Sequence, residues 1–257
     1  MADNRKLLVE TDGPVTIITI NRPEVRNALD NETAADLTRA LRAFDGAPDQ
    51  AVAVLTGAGG NFCAGADLKD LAAGREYKPW AGDPDGPCHD LLSKPVIAAV
   101  AGHACAGGLG IALRCDLRVA EESSTFAVLS RRWGIPMSDG TTVRLPRLIG
   151  AGRALDMLLT ARKVPGAEAV AMGLADRLVP TGQALPRAVE LAHEISAFPQ
   201  IAMRSDRLSA IRQWNLSEED AIALETSLSQ EARQKEARGG ANRFASGAGR
   251  HGNIEKD

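Results

Sequence analysis

The chain has 257 residues, with 30 Lys+Arg against 33 Asp+Glu and a formal net charge of −3. That near-balance argues against nucleic-acid binding or a polybasic membrane anchor working through bulk charge. With 44% hydrophobic and 25% charged residues the composition is that of an ordinary globular chain able to bury a sizeable core. The 25 glycines stand out, while only nine aromatics (Phe 5, Trp 3, Tyr 1) leave no stacking platform for single-stranded nucleic acid.

The opening MADNRKLLVETDGP has no apolar run of signal-peptide length, and no stretch approaches a membrane span, so a cytoplasmic protein is expected. LLVET (7–11) and VTIITI (15–20) are β-branched runs flanking Asp12-Gly13-Pro14, which predicts a hairpin or tight strand connection. From Asn31 to Asp45, Ala34, Leu37, Ala40, Leu41 and Phe44 recur at helical spacing, with Asp30 or Asn31 as the cap. AVAVLTGAGGNFCAGADL (51–68) and VIAAVAGHACAGGLGIAL (96–113) then share one plan: buried strand, turn of glycine and small residues, helix start. The two units begin 45 residues apart and form an internal structural repeat, with a Pro- and Gly-rich segment (74–87) expected to be a mobile loop between them.

Strands follow at DLRVA and around Thr125–Val128, then WGIPMSDGTT, and helical periodicity is expected from about Thr142 onward. Beyond Phe198-Pro199 two helical segments remain, the second opened by a capped acidic turn at Ser217–Asp220. Alternating strands and helices predict an α/β fold with largely parallel pairing, a core over 1–195 and a helical assembly region over 196–257.

Several familiar signatures fail. Gly247-Ala248-Gly249-Arg250-His251-Gly252 matches a dinucleotide fingerprint by letter but follows no strand and leaves no room for a βαβ unit. No phosphate-loop lysine, nucleophile elbow or zinc-protease histidine pair is present, and Cys63, Cys88, Cys105 and Cys115 lack metal-site spacing, so no metal is expected. The two glycine turns are what remains. A strand ending in a small-residue turn that opens a helix leaves backbone N–H groups aimed outward, and two such turns facing each other would make a two-donor oxyanion hole.

NRPEVRNAL (21–29), GAGGNFCAGADL (57–68), KPVIAAVAGHACAGGLGIALRCDLRVA (94–120) and AVAMGLADRLVP (169–180) closely resemble the crotonase, or enoyl-CoA hydratase/isomerase, superfamily. The resemblance implies a spiral of repeated ββα units with a C-terminal helical region, and a homotrimer or dimer of trimers. It implies an acyl-CoA thioester as substrate, with CoA supplied by the substrate and no separate cofactor. The two hole donors map onto the backbone N–H groups of Ala66 and Gly107, and the strips Val25–Asn27 and Ala64–Leu68 (Val25, Arg26, Ala64, Gly65, Asp67 and Leu68 among them) onto the binding of pantetheine and adenine diphosphate. Arg22 and Arg26 are either phosphate partners or ordinary solvated arginines. Asp67 is read as a helix cap and not as a base.

The chain departs from a hydratase at both acids. Where the first glutamate of the well-studied hydratases would follow the glycine turn stands Gly110, and the second falls on Ser130 or Arg131. Asp139 lies within about one position of the place where dienoyl-CoA isomerases and an aryl-CoA dehalogenase carry a working aspartate. It has two readings: a proton shuttle of raised pKa in an apolar pocket, or the cap of a helix near Thr141. Arg131, Arg132 and Trp133 are expected to shape the pocket or to pair with neighbouring acids. The leading expectation is an acyl-CoA enzyme working through a stabilised enolate, most simply by isomerisation or a single proton transfer. The alternative is a non-catalytic acyl-CoA-binding or scaffold protein that lacks the acids.

Overall fold

A computed structural model describes residues 5–76 and 78–247. The fingerprint-like run at 247–252 lies, beyond Gly247, outside the described residues. The chain divides into two compact units, residues 1–195 and 196–257.

In the first unit, β1 (Leu7–Asp12) and β2 (Val15–Ile20) form the expected hairpin, pairing antiparallel from Leu7–Ile20 to Asp12–Val15 across Gly13 at φ +56°. Helix α1 (Asn31–Gly46) is capped by Asp30, whose carboxylate accepts the Thr33 amide at 2.8 Å. Strands β3 (Val52–Gly57), β4 (Val96–Val100), β6 (Leu117–Glu121) and β9 (Arg177–Val179) then add in parallel to give a six-stranded sheet ordered β1-β2-β3-β4-β6-β9. The short β5 (His103–Cys105), β7 (Thr125–Ala127) and β8 (Val164–Pro165) form a second sheet.

The large sheet is buried on both faces, so its strands read as near-continuous apolar runs. Alternate residues divide between two cores: Ile18, Leu55, Ala98 and Ala120 point to one side, and Val15, Val54, Ile97 and Val119 to the other. The first side packs α1, α3 (Gly107–Arg114) and α4 (Thr141–Ile149); the second packs Ala184, Ala188 and Leu191 of α7 (Ala184–Ser196). Helices α2 (Leu68–Ala72), α5 (Ala151–Thr160) and α6 (Gly166–Ala171) complete this unit. The second contains α8 (Gln200–Arg212), α9 (Glu218–Ala232) capped by Ser217, one π-helical turn (Arg233–Ala237) and α10 (Arg238–Ala245). Among the described residues no helix is long and apolar enough to cross a membrane.

Three features differ from the sequence expectation. Strands β8 and β9 interrupt the stretch read as helical, because two or three residues are too short to show a period of two. The second glycine unit contains an extra strand, β5, between β4 and α3. Part of the segment expected to be a mobile loop is anchored, from Trp80 onward: Trp80 is 6% exposed, its carbonyl accepts the Cys88 amide at 3.0 Å, and the Ala81 amide reaches the Ser138 carbonyl at 2.9 Å, while Gly74, Arg75, Glu76, Lys78 and Pro79 are exposed. Thr38 and Arg42 of α1 hold the same segment through the carbonyls of Asp85 and Pro84.

Candidate active site

Three backbone strips meet at the ends of the parallel strands. Ala64 donates to the Arg26 carbonyl (3.0 Å), Leu29 to Gly65 (2.8 Å) and Asp67 to Leu29 (2.8 Å), so the two strips read as CoA contacts lie side by side. On the other flank, Phe62 donates to Ala101 and Cys63 to His103, both at 2.8 Å, and Cys105 donates back to Cys63 at 3.0 Å. The two glycine turns are thereby stitched together. Buried Asn27 tightens the corner: its side-chain amide donates to the carbonyls of Ala58 and Asn61 while its oxygen accepts the Arg22 amide.

This pairing uses the amides of Leu29, Ala64 and Asp67 but turns that of Ala66 away. The Gly107 amide opens helix α3, where no preceding carbonyl is in reach. Among the described residues neither amide has a hydrogen-bond partner. The two turns approach closely beside them: a methyl group built on Gly65 would lie 3.0 Å from the Gly107 nitrogen, and Gly65 itself sits at φ +106°. Ala106 enters the helix at φ 50°, a strained conformation for a residue with a side chain. Both donors line a cavity of about 180 Å³.

That cavity is lined by Ala64, Ala66, Ala106 and Gly107 of the glycine turns and by Leu129, Ser130, Ile135, Pro136 and Met137. Trp80, Trp133 and Asp139 complete it, Trp133 being 70% exposed at its rim. Of the residues read as pocket-shaping, Trp133 does line it; Arg131 is turned aside, its Nε donating to the Leu158 carbonyl at 3.4 Å.

Asp139 is 4% exposed and lines the cavity. One carboxylate oxygen accepts the Thr141 amide at 2.9 Å, the first amide of α4, whose cap position is taken by Gly140 and not by Asp139. The other is directed at Gly110: a methyl group there would lie 2.3 Å from Asp139 Cγ and 2.6 Å from Oδ2. The carboxyl group therefore occupies the space that a side chain at position 110 would need. Burial raises its pKa above the ordinary carboxylate value, against the pull of its Thr141 hydrogen bond and the Arg144 guanidinium. Arg144 fixes the loop by donating to the carbonyls of Asp139 (2.8 Å) and Cys88 (3.0 Å).

Other predicted residues fall around this centre. Asp67 caps α2 through the Lys69 amide (3.1 Å) and pairs with Arg22 at 3.0 Å, so both its oxygens are engaged. Arg22 also meets Asp30 at 3.3 Å and donates to the Ala28 carbonyl. Its reading as a phosphate partner or a solvated arginine is corrected: it is an internal clasp between two helix caps. Val25 is half-buried in a short turn, Leu68 is 41% exposed at the cavity mouth, and Arg26 is exposed in the left-handed region at φ 52°. Ser130, at the position of the second missing acid, is buried and directed at the Met137 sulfur at 3.0 Å.

The sequence reading missed Trp80 as a cavity wall. Its indole lies so close that a methyl group on Gly107 would meet Cζ3 at 2.4 Å. The available signal was a tryptophan isolated in a Pro- and Gly-rich segment of a chain with three tryptophans. The cysteines are all buried, and burial pushes Cys63 and Cys115 up to about 12 and Cys105 to about 11. Among the described residues no group of three or more His, Cys, Asp or Glu is placed to hold a metal ion.

Comparison with known proteins agrees with this architecture. The family model described as enoyl-CoA hydratase/isomerase matches residues 10–248. Enoyl-CoA hydratase EchA19 of Mycobacterium tuberculosis is 41% identical over 229 residues, 86% of each chain. A short-chain-enoyl-CoA hydratase of Clostridium acetobutylicum is 32% identical over 226 residues, again 86% of each. Among solved structures, enoyl-CoA hydratase EchA1 from Mycobacterium marinum superposes with a TM-score of 0.89 at 33% identity, covering 94% of this chain and 96% of that one.

Proposed function

The chain belongs to the enoyl-CoA hydratase/isomerase family, and from that premise we propose that it moves a proton on an acyl-CoA thioester through an enolate, with Asp139 as its acid and base. In this reading the thioester oxygen accepts hydrogen bonds from the Ala66 and Gly107 amides. The strips Val25–Asn27 and Ala64–Leu68, with Arg26 exposed beside them, receive the CoA portion, and no further cofactor is called for. Negative charge on that oxygen grows as the α-proton leaves, so donors fixed in advance favour the transition state, each by about 3–4 kcal/mol.

The observation that carries the proposal is the Asp139 carboxyl group standing in the side-chain space of Gly110, within the cavity that both amides line. An acid absent from the helix is supplied from the loop before α4. Its raised pKa brings proton release and uptake nearer to neutrality, as a shuttle requires. With Ser130 and Gly110 both lacking a carboxylate, one acid serves one proton transfer more readily than the two-acid addition of water. We further propose a homotrimer or dimer of trimers built through residues 196–257, where Trp214 and Ile222 are more than half exposed; light scattering tests this.

The decisive test is exchange of α-protons with deuterated water on a panel of acyl-CoA thioesters. Wild type exchanges, and Asp139→Asn slows exchange by about 10²–10⁴-fold while retaining acyl-CoA binding. Unchanged exchange in the variant removes Asp139 from the mechanism. Binding by wild type without exchange or product favours the alternative, a non-catalytic acyl-CoA-binding protein.

A further inference from the structure

Resting on the acyl-CoA reading, we infer that Trp80 is the end wall of the acyl pocket and restricts the substrate to short acyl groups. Two cavities meet at this residue. The first is the 180 Å³ cavity holding the two free amides and Asp139. The second, of about 30 Å³, is lined by Trp80 together with Leu29, Leu71, Asp70 and Lys78. Ala66, Leu68, Trp80 and Ile135 line both, and Trp80 is the only one of these four with a bulky planar side chain.

The wall is held firmly. The Trp80 carbonyl accepts the Cys88 amide, Ala81 is tied to Ser138 beside Asp139, and the indole packs onto Gly107 with no room for a single methyl group between them. Its neighbour Gly86 is equally tight, a methyl group there falling 2.2 Å from the Trp80 carbonyl oxygen. Passage at Trp80 would require moving a 6%-exposed side chain out of the core.

The size limit follows from volume. A dry apolar cavity of about 150 Å³ accommodates benzene, so the first one accepts an acyl group of about six carbons, whereas the second holds about one water. The second cavity is also a poor extension for an apolar tail. Asp30, Asp67, Asp70, Arg75, Glu76 and Lys78 surround it, and longer chains would have to desolvate them.

Calorimetric titration with saturated, unreactive butanoyl-, hexanoyl-, octanoyl- and decanoyl-CoA reads this without depending on catalysis. Wild type is expected to bind decanoyl-CoA at least tenfold more weakly than hexanoyl-CoA. Trp80→Ala removes most of that difference, and Trp80→Phe, which keeps an aromatic ring in the core, reduces it in the same direction and decides the matter if the alanine variant does not fold. Equal wild-type affinity at all four lengths overturns the wall, as does a uniform loss in the folded variants that leaves the length ratio unchanged. If wild type binds none of the four, the acyl-CoA reading itself fails and the wall with it.

Discussion

Placing a single methyl group at position 110 tests whether Asp139 has taken over that space. In Gly110→Ala the new carbon falls 2.3 Å from Asp139 Cγ, 2.6 Å from Oδ2 and 2.7 Å from Cβ, all far inside ordinary contact. The carboxyl group has little freedom to retreat, since Thr141 holds one oxygen at 2.9 Å and Arg144 holds the backbone carbonyl at 2.8 Å. Overpacking of this kind costs about 1–3 kcal/mol. Against it, alanine in place of glycine within a helix gains up to about 1 kcal/mol. The single variant is therefore expected to lose about 0–3 kcal/mol. In an Asp139→Gly background, which removes both the carboxyl group and the Cβ, the same change is expected to gain up to about 1 kcal/mol. The resulting coupling of about 1–3 kcal/mol is measured by urea unfolding of the four proteins in the cycle. Displacing the carboxyl group by about 1 Å also slows α-proton exchange by about 10²-fold in Gly110→Ala. Additivity within about 0.5 kcal/mol, together with unaltered exchange, refutes the substitution of Asp139 for a side chain at 110.

Two further outcomes follow from the same geometry. Gly65→Ala forces a side chain into φ +106° and places its methyl group 3.0 Å from the Gly107 nitrogen, so α-proton exchange should fall by about 10²–10³-fold; wild-type exchange rates would refute the two-donor hole. For Asp139, burial makes the folded protein hold the carboxyl proton more tightly than the unfolded chain does. That contribution to stability is complete below the ordinary carboxylate value of 3.8 and is lost as pH rises through the raised folded-state pKa. The urea midpoint of wild type should accordingly decline relative to Asp139→Asn as pH is raised from 4, and a constant difference contradicts the shift.

Much of this arrangement is legible in the linear chain because it depends on local pattern. The β-branched runs 7–11 and 15–20, the 3.6-residue periodicity of 31–45 with its Asp30 cap, and the two glycine-rich units all encode short-range preferences. The family likeness itself rests on ordered motifs that need no coordinates. The short strands β8 and β9 are not legible, because their formation depends on partners, Phe126 and Thr125 for β8 and Val119 to Glu121 for β9, distant in sequence. Arg22 shows the same limit: only the approach of Asp30 and Asp67 to one guanidinium turns an apparent surface arginine into a clasp.

Glycine follows both patterns. By itself the sequence determined where glycine would permit close backbone approach, since a missing Cβ is a local property, and it determined that position 110 carries no acid. What filled the space beside Gly110 was decided only by tertiary structure. Asp139 and Trp80 come from separate loops joined by the Ala81–Ser138 hydrogen bond, and they converge on α3 because its glycines exclude no volume. An absence in one element is met by a side chain from another, and no spacing within either segment specifies that meeting.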